Sequence, residues 1–254
     1  MAQEQKITIT KNGPYLVQGG IPLFEDAMDA DNEKHHMVYN RVKEFELNGP
    51  GYRLCRCGQS KHMPFCDNTH EHVDFDGTEV ADRTPYRDRS DVYAGDGIYL
   101  LDDNRCAYAR FCHRKDGDVW TLTEYSETDG IKKEAVEASW HCPTGRLTHY
   151  DTKSGEAHEE SYDPSIIILQ DIPEGTSGPI FVRGGVPLIS EDGTEYETRN
   201  RYALCRCGHS QNKPFCDAYH NPYQFNDGSE AFKGKREGID SSFEDPIPGA
   251  ADAE

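Results

Sequence analysis

The chain has 254 residues, of which 35% are hydrophobic, and its formal net charge is −19 at pH 7. This acidity argues against nucleic acid as a partner, because phosphate binding needs a basic face, and against docking on anionic lipid. No apolar stretch approaches the roughly 20 residues of a membrane span. The first residues also lack the basic and apolar regions of a secretory signal. We therefore expect a cytoplasmic protein with no membrane partner.

The first predicted elements are short strands. Residues 6–10 (KITIT) and 15–18 (YLVQ) are rich in β-branched and aromatic side chains and are separated by a turn containing Gly and Pro. The segment 52–54 (YRL) then leads into a cysteine-rich loop. Because Pro favours the first turn of a helix, we expect a short helix to begin at Pro64.

The loop at 54–70 reads LCRCGQSKHMPFCDNTH and has the spacing C-x-C-x(8)-C-x(3)-H. A helix that begins at Pro64 would place Cys66 at its N-terminus, where backbone N–H groups and the helix dipole favour thiolate charge. His70 would follow one turn later on the same face. The four candidate metal ligands are Cys55, Cys57, Cys66 and His70.

The middle of the chain predicts an α+β unit with its own cysteines. Cys106 and Cys112 have the spacing C-x(5)-C. Cys142 lies 30 residues after Cys112 and directly precedes a proline. The elements predicted around them are a strand at 98–101, a helix at 132–140 that delivers the last cysteine, and a closing strand at 146–150.

The last third of the chain repeats the first. Residues 204–220 (LCRCGHSQNKPFCDAYH) match 54–70 at an offset of 150, and 178–188 (GPIFVRGGVPL) match 13–23 (GPYLVQGGIPL). A strand is again predicted upstream, at 166–170. Similarity over this length indicates a duplicated structural unit. The second ligand set is Cys205, Cys207, Cys216 and His220.

The repeats differ by an insertion. The interval from Leu23 to Cys55 is 32 positions and that from Leu188 to Cys205 is 17, so the first repeat carries 15 additional residues. The simplest expectation for them is a surface loop. The acidic tail at 240–254 is expected to be disordered.

The 9 cysteines form three groups of three, which in the reducing cytosol indicates metal sites more often than disulfides. Zinc accepts three thiolates and one imidazole, but its ligands usually come as C-x(2–4)-C with a distant second pair. Here two thiolates flank a single residue, and each outer ligand set spans only 16 residues. Thiolates also bind iron–sulfur clusters, in which imidazole can replace thiolate. A [2Fe–2S] cluster would then have one iron on two thiolates and the other on thiolate and imidazole.

The pattern C-x-C-x(2)-S-x(3)-P-x-C-D-x-x-H resembles that of the CDGSH iron–sulfur domain, the NEET family. Besides the ligands, its fixed positions fall on Ser60, Pro64 and Asp67 and on Ser210, Pro214 and Asp217. The chain departs from the family at 68–69 (Asn–Thr) and 218–219 (Ala–Tyr), where Gly–Ser is usual. The resemblance implies two [2Fe–2S] clusters, with supporting cofactor-binding roles for the serines and aspartates. It also implies a β-cap fold paired about a two-fold axis, here as an intrachain pseudo-dimer in a monomer.

The middle segment is similar to small, divergent single-cluster ferredoxins. A bacterial ferredoxin site runs C-x(2)-C-x(2)-C with a later C-P, and its second cysteine would fall on Ala109. Three thiolates (Cys106, Cys112 and Cys142) match the three irons of a [3Fe–4S] cluster. The alternatives are a [4Fe–4S] cluster with a non-cysteine fourth ligand and free thiols buried in a small core.

The expected fold class is therefore α+β and β-rich. The expected domains are a first CDGSH unit (1–94), a ferredoxin-like unit (95–160), a second CDGSH unit (161–240) and a tail (241–254). The expected function is single-electron transfer with redox partner proteins. The alternative is cluster transfer to apo-acceptors, or redox or pH sensing, because a histidine ligand is more easily released. No nucleotide fingerprint or substrate-type site is present, which favours a carrier over an enzyme.

Overall fold

The computed structural model describes residues 4–31, 33 and 36–233. Within this part of the chain the backbone forms four β-sheets. The helices are α1 (Tyr86–Arg89), α2 (Val119–Glu124) and α3 (Asp129–Trp140). The strands are β1 (Lys6–Ile9), β2 (Tyr15–Gln18), β3 (Leu23–Asp31), β4 (His36–Glu44), β5 (Tyr52–Leu54), β6 (Asp91–Ala94), β7 (Ile98–Asp102), β8 (His113–Arg114), β9 (Gly117–Asp118), β10 (Leu147–Asp151), β11 (Ala157–His158), β12 (Ser165–Asp171), β13 (Thr176–Arg183), β14 (Leu188–Ile189) and β15 (Arg201–Leu204).

The first sheet takes its strands from both repeats, in the order β14-β1-β2-β5. β1 runs antiparallel to β2, with Ile7 opposite Val17. On its other edge β1 runs parallel to β14, and Ile7 lies opposite Leu188 of the second repeat. Ile7 and Ile9 are both buried, as expected for alternate positions on one face of a strand.

The second sheet also combines strands of both repeats, in the order β15-β13-β12-β3-β4. β3 of the first repeat runs parallel to β12 of the second, and Leu23 lies opposite Ile166. Buried side chains of both sheets meet in one apolar cluster that includes Ile7, Ile166 and Leu204. The repeats therefore share a core, and each sheet is completed by a strand from the other repeat.

The expectation of a surface loop in the first-repeat insertion is wrong. β3 and β4 form a hairpin that extends the second sheet. Met28 and Met37 are buried and pack with Leu169 and Phe181 of that sheet. The hairpin forms because β3 pairs along β12 and because Met28 and Met37 join the buried face of the second sheet, which a sequence comparison of the repeats does not reveal.

The middle segment, defined here as residues 91–158, forms an antiparallel sheet in the order β11-β10-β7-β6. Helices α2 and α3 pack together, and α3 also packs on β10. α3 starts after Thr128, whose hydroxyl accepts a hydrogen bond from the Ile131 N–H. The strands at 98–102 and 147–151 and the helix before Cys142 agree with expectation. The sheet begins at Asp91, so the expected domain boundary at residue 95 falls inside its first hairpin.

The helix expected from Pro64 is absent. Phe65 instead forms an isolated β-bridge with Leu54, and the Cys66 N–H donates to the Arg53 carbonyl (3.0 Å). These bonds keep the backbone extended, and only a short 3₁₀ turn follows, at Thr69–Glu71. None of the helices in the described ranges has the length and apolar character needed to span a bilayer. The expected tail at 241–254 lies outside the described residues.

Candidate metal centres

The first site follows β5 and brings its four predicted ligands together as two pairs. The sulfur atoms of Cys55 and Cys57 are 3.6 Å apart. The sulfur of Cys66 lies 3.4 Å from Nδ1 of His70. Two sulfur ligands of one tetrahedral metal, each about 2.3 Å from it, are about 3.7 Å apart. Each pair therefore has the separation expected of two ligands on one metal.

The second site repeats this geometry after β15. Its corresponding distances are 3.7 Å between the sulfurs of Cys205 and Cys207 and 3.5 Å between the Cys216 sulfur and His220 Nδ1. Among the described residues, no group of three or more His, Cys, Asp or Glu side chains is arranged to hold one metal ion. Two pairs that each suit one metal fit a two-iron cluster, whose irons share bridging sulfides, better than a single zinc.

The predicted serine and aspartate of the first loop bind its backbone. The Ser60 hydroxyl donates to the Phe65 carbonyl (2.6 Å). Asp67 accepts from the N–H groups of Lys61 (2.9 Å) and Thr69 (3.0 Å). Hydrogen bonds from the Thr69 side chain and these N–H groups lower the pKa of Asp67 well below its usual range. The two side chains thus fix the loop that carries the ligands.

Ser210 and Asp217 do the same in the second loop. The Ser210 hydroxyl donates to the Phe215 carbonyl (2.7 Å), and Asp217 accepts from the Gln211 N–H (2.7 Å). The positions where the chain departs from the CDGSH pattern have left-handed backbone, with φ of 70° at Asn68 and 69° at Ala218. Glycine adopts this conformation at little cost, which gives a physical reason for glycine there in the family.

In each loop only the first cysteine is favoured as an anionic sulfur. A hydrogen bond from Cys57 and the backbone N–H groups of Ser60 and Gly58 lower the pKa of Cys55, although burial opposes them. Cys207 and the equivalent N–H groups lower the pKa of Cys205 in the same way. The hydrogen bond to the first cysteine raises the pKa of the second (Cys57 and Cys207), and burial raises the pKa of the third (Cys66 and Cys216). N–H groups that point at sulfur suit thiolate ligands of a metal or cluster. The donor sets of both sites therefore fit iron–sulfur ligation.

The two sites differ in burial. Cys66 and His70 are half-buried, whereas His220 is only 2% exposed. Nε2 of His220 has no hydrogen-bond partner in the structure. Burial, reinforced by the charges of Arg206 and Arg110, lowers the pKa of His220 to about 3. The same motif thus sits in two different environments.

Sequence reasoning missed the arginine between the paired cysteines. Arg206 donates to the carbonyls of Gly178 (2.7 Å) and Leu169 (3.1 Å) and pairs with buried Asp227 (2.5 Å). Arg56 also binds backbone carbonyls and has no carboxylate partner among its hydrogen bonds. The repeated C-R-C-G was the available signal, because an arginine kept in both copies indicates a shared structural role.

The two metal-binding loops contact each other. A Cβ atom at Gly58 would overlap the carbonyl oxygen of Cys207, and one at Gly208 would overlap that of Cys57. Both glycines also have positive φ. The Tyr15 hydroxyl, from the first repeat, donates to the Cys205 carbonyl (2.8 Å). The glycine after each C-x-C pair thus lets the backbones of the two sites approach closely.

The three middle cysteines are neighbours in space. Burial raises the pKa of Cys112 to about 12, with further contributions from the nearby Cys142 and Cys106. The Tyr108 N–H donates to the Cys106 sulfur (3.3 Å). The Thr144 hydroxyl lies 3.2 Å from the Cys142 sulfur. The sulfurs of Cys106 and Cys142 each have a polar group close by, and the three thiols together form a donor set that could hold a cluster.

Ala109, which stands where a ferredoxin has its second cysteine, is oriented differently. It packs with Phe111 and Ile167 in an apolar cluster that is separate from the cluster holding Cys112 and Cys142. We therefore do not expect a cysteine at 109 to complete a four-thiolate set without movement of the loop.

Two segments of the chain, residues 12–71 and 177–221, match the family model described as iron-binding zinc finger CDGSH type. Each segment contains one complete Cys₃His set. No curated protein and no solved structure matches the chain significantly. The chain therefore contains, in tandem, two segments that are similar to the CDGSH-type iron-binding domain.

Proposed function

We propose that this tandem CDGSH protein is a multi-cluster iron–sulfur protein that carries single electrons between redox partner proteins in the cytoplasm. The observation that carries the proposal is the repeated ligand geometry: in each CDGSH segment, two thiolates form one pair and a thiolate and an imidazole form the other. Each site would hold one [2Fe–2S] cluster. The chemistry that such a cluster supplies when bound is reversible uptake of one electron.

The chain's own residues would tune that chemistry. The buried side chains of Cys55, Cys57, Cys205, Cys207 and Cys216 would hold a cluster away from water. Backbone N–H groups at Gly58, Ser60, Gly208 and Ser210 direct partial positive charge at the sulfurs of Cys55 and Cys205. An imidazole in place of a thiolate removes one negative charge from the ligand set and raises the reduction potential. Neither outer site needs a substrate pocket for this task.

An intrachain pseudo-dimer is part of the proposal. It is supported by the reciprocal strand exchange, in which β14 completes the first sheet and β3 the second, and by the close approach of Gly58 to Cys207 and of Gly208 to Cys57. Because the repeats already bury their exchanged strands against each other, we expect the protein to be a monomer.

For the middle segment we propose a ferredoxin-like unit with a [3Fe–4S] cluster on Cys106, Cys112 and Cys142. The proximity of the three thiols supports it. The alternative is a [4Fe–4S] cluster with a non-cysteine ligand. The hydroxyl of Thr144 lies near the Cys142 sulfur, which makes it the oxygen to test.

The second candidate function is transfer of an iron–sulfur cluster to an apo-acceptor, or pH sensing, at the first site. The observation that favours it is the partial exposure of Cys66 and His70. Protons compete with iron for an imidazole ligand that solvent can reach, so this ligand is released more readily as the pH falls. Transfer that accelerates as the pH falls would favour this function over electron transfer.

Anaerobic purification with counting of iron and sulfide, combined with EPR of oxidised and dithionite-reduced protein, tests the proposal. We expect about seven irons per chain, from two [2Fe–2S] and one [3Fe–4S] cluster. The oxidised protein should show only the signal of the [3Fe–4S] cluster. Cys66→Ser and Cys216→Ser should each remove one [2Fe–2S] signal from the reduced spectrum, and Cys112→Ser should remove the oxidised signal. Stoichiometric zinc without sulfide would overturn the proposal.

A further inference from the structure

The middle segment lies directly on the second site. Ala107, the residue after Cys106, contacts Ala203 and Cys216 in a buried cluster. The guanidinium of Arg105 lies over the Phe215 ring, 4.4 Å from its centroid. Phe215 and the ligand Cys216 of the second site are therefore covered by residues of the middle segment.

A buried arginine anchors this cover. Arg201 stands in β15, four residues before Cys205, and is 1% exposed. It donates to the carbonyls of Cys142 (3.0 Å), Ser139 (2.8 Å) and Leu147 (2.8 Å), all of which belong to the middle segment. Each of these carbonyls would lose a charged donor if the segment moved away, so the contact is costly to open.

A second anchor holds the cysteine loop of the middle segment. Arg110 pairs with the buried carboxylate of Asp171 (2.7 Å) and with Glu174 (3.2 Å), both from the second repeat. The neighbouring Ala109 and Phe111 pack on the same sheet. The cover is thus fixed through charged pairs and through apolar contact, and separating it would leave Asp171 buried without its partner.

Within the described part of the chain, no comparable contact from the middle segment covers the first site. At the offset of 150 residues, the position of Ala203 is taken by Arg53, which is exposed and donates to the Asn68 side chain (3.0 Å). Phe65, the counterpart of Phe215, is covered by the first repeat's own aromatic Phe45, with ring centroids 5.7 Å apart. Cys66 remains half-buried as a result.

We propose that the middle segment closes the second site to solvent. A partner protein then exchanges electrons or iron with this protein at the first site alone. This inference rests on the proposed function, because it assigns that function's contact surface. The second site is then internal, and the half-buried edge formed by Cys66 and His70 is the surface to which the partner docks.

The test uses the loaded protein and a small water-soluble ferrous chelator under reducing conditions. Iron is followed by absorbance in two variants that keep one outer site each, Cys216→Ser (first site) and Cys66→Ser (second site). Extraction from a sealed site requires local opening, so we expect the second site to lose iron about ten-fold more slowly or slower still. Equal rates, or faster loss from the second site, would overturn the proposal.

Opening the cover provides the second measurement. In the Cys66→Ser background, Arg105→Ala removes the guanidinium over Phe215 and should accelerate iron loss from the second site. Arg87→Ala is the matched control, because Arg87, from α1, lies over the ring of Tyr150 in the middle segment, 4.2 Å from its centroid. The control should leave the rate unchanged. If both variants accelerate iron loss equally, the effect is general loosening and the cover is refuted.

The outcome remains separable from that of the proposed function. If the purified chain holds no iron, the proposed function fails, but the seal can still be measured by brief iodoacetamide treatment of the full-length protein and mass spectrometry of its peptides. Cys66 should then be alkylated and Cys216 protected. Equal alkylation of both thiols would overturn the seal independently of any cluster.

Discussion

The first and second sites carry the same motif and nearly the same ligand distances, yet one is half-buried and the other is closed. The distance within each ligand pair differs by only 0.1 Å between the sites. It is 3.6 and 3.7 Å between the two sulfurs and 3.4 and 3.5 Å between sulfur and imidazole nitrogen. Burial differs because the middle segment packs on only one of them. Local sequence therefore sets the ligand geometry, whereas packing sets access.

The largest expected effect separates the two arginines that lie between the paired cysteines, Arg56 and Arg206. Arg206→Ala leaves the charge of Asp227 buried and unpaired, and we expect it to lower the free energy of unfolding by about 3–5 kcal/mol. Arg206 lowers the pKa of Asp227 to about 2 despite the opposing effect of burial. Arg56→Ala removes hydrogen bonds to neutral carbonyls and the contacts of the guanidinium with the Tyr15 and Phe75 rings, and we expect a loss of about 1.5–3 kcal/mol. Urea denaturation measures both, and equal losses would remove this difference between the sites.

Acid should weaken the cover of the second site. Burial, aided by His158, lowers the pKa of His149 in the middle segment to about 3. Below the unfolded-state pKa of about 6.5, the unfolded chain binds the proton and the folded chain does not. Stability therefore falls with falling pH, by about 1.4 kcal/mol per pH unit for this group until the folded pKa is reached.

The measurement is urea denaturation at several pH values between about 5 and 7.5, a window that spans the unfolded-state pKa. His149→Gln keeps a polar side chain near Thr123 and Ser139, which contact the imidazole at 2.7 and 3.0 Å, and it should remove this part of the slope. Iron loss from the second site should accelerate on acidification in the wild type more than in His149→Gln. An unchanged slope in the variant would contradict the assignment.

A smaller effect is expected from the hydroxyl that ties the first repeat to the second site. Tyr15 donates to the carbonyls of Cys205 (2.8 Å) and Pro214 (3.1 Å), whereas its counterpart in the second repeat is Ile180. Tyr15→Phe should cost about 1–2 kcal/mol of unfolding free energy, because buried carbonyls lose a donor. It should also accelerate iron loss from the second site and leave the first unchanged.

Tyr52→Phe is the control for that variant. Its hydroxyl donates to the Ile21 carbonyl (3.0 Å) within the first repeat. We expect a destabilisation of about 1 kcal/mol with no change in iron loss from the second site. If Tyr52→Phe accelerates that loss as much as Tyr15→Phe, the bond across the repeats has no specific effect.

The smallest effect concerns the left-handed residues beside the third cysteines. Ala218 has a Cβ atom at a φ of 69°, so Ala218→Gly should stabilise the protein by about 0.5–1 kcal/mol. Asn68→Gly should be close to neutral, because asparagine tolerates this conformation and Asn68 also accepts a hydrogen bond from Arg53. Thermal unfolding of both variants checks the difference in sign and size.

Some elements could be predicted because their determinants are local. The strands at 6–9 and 15–18 follow from β-branched and aromatic side chains and turn residues, and the helix predicted at 132–140 is present at 129–140. The spacing of four ligands within 16 residues was sufficient to predict which side chains would meet at each outer site. The helix at Pro64 failed because a contact outside the segment, the bridge from Phe65 to Leu54, overrides the local preference for helix.

The sequence by itself determined the two Cys₃His loops, the duplication and the strands that carry them, since spacing and periodicity are properties of short segments. Only the tertiary structure decided which sheet receives β3 and β14, because strand partners far apart in the chain are chosen by shared burial. It also decided that Arg201 would anchor the middle segment over one site and leave the other open. The two sites differ in exposure to solvent because loops with the same motif pack against different neighbours.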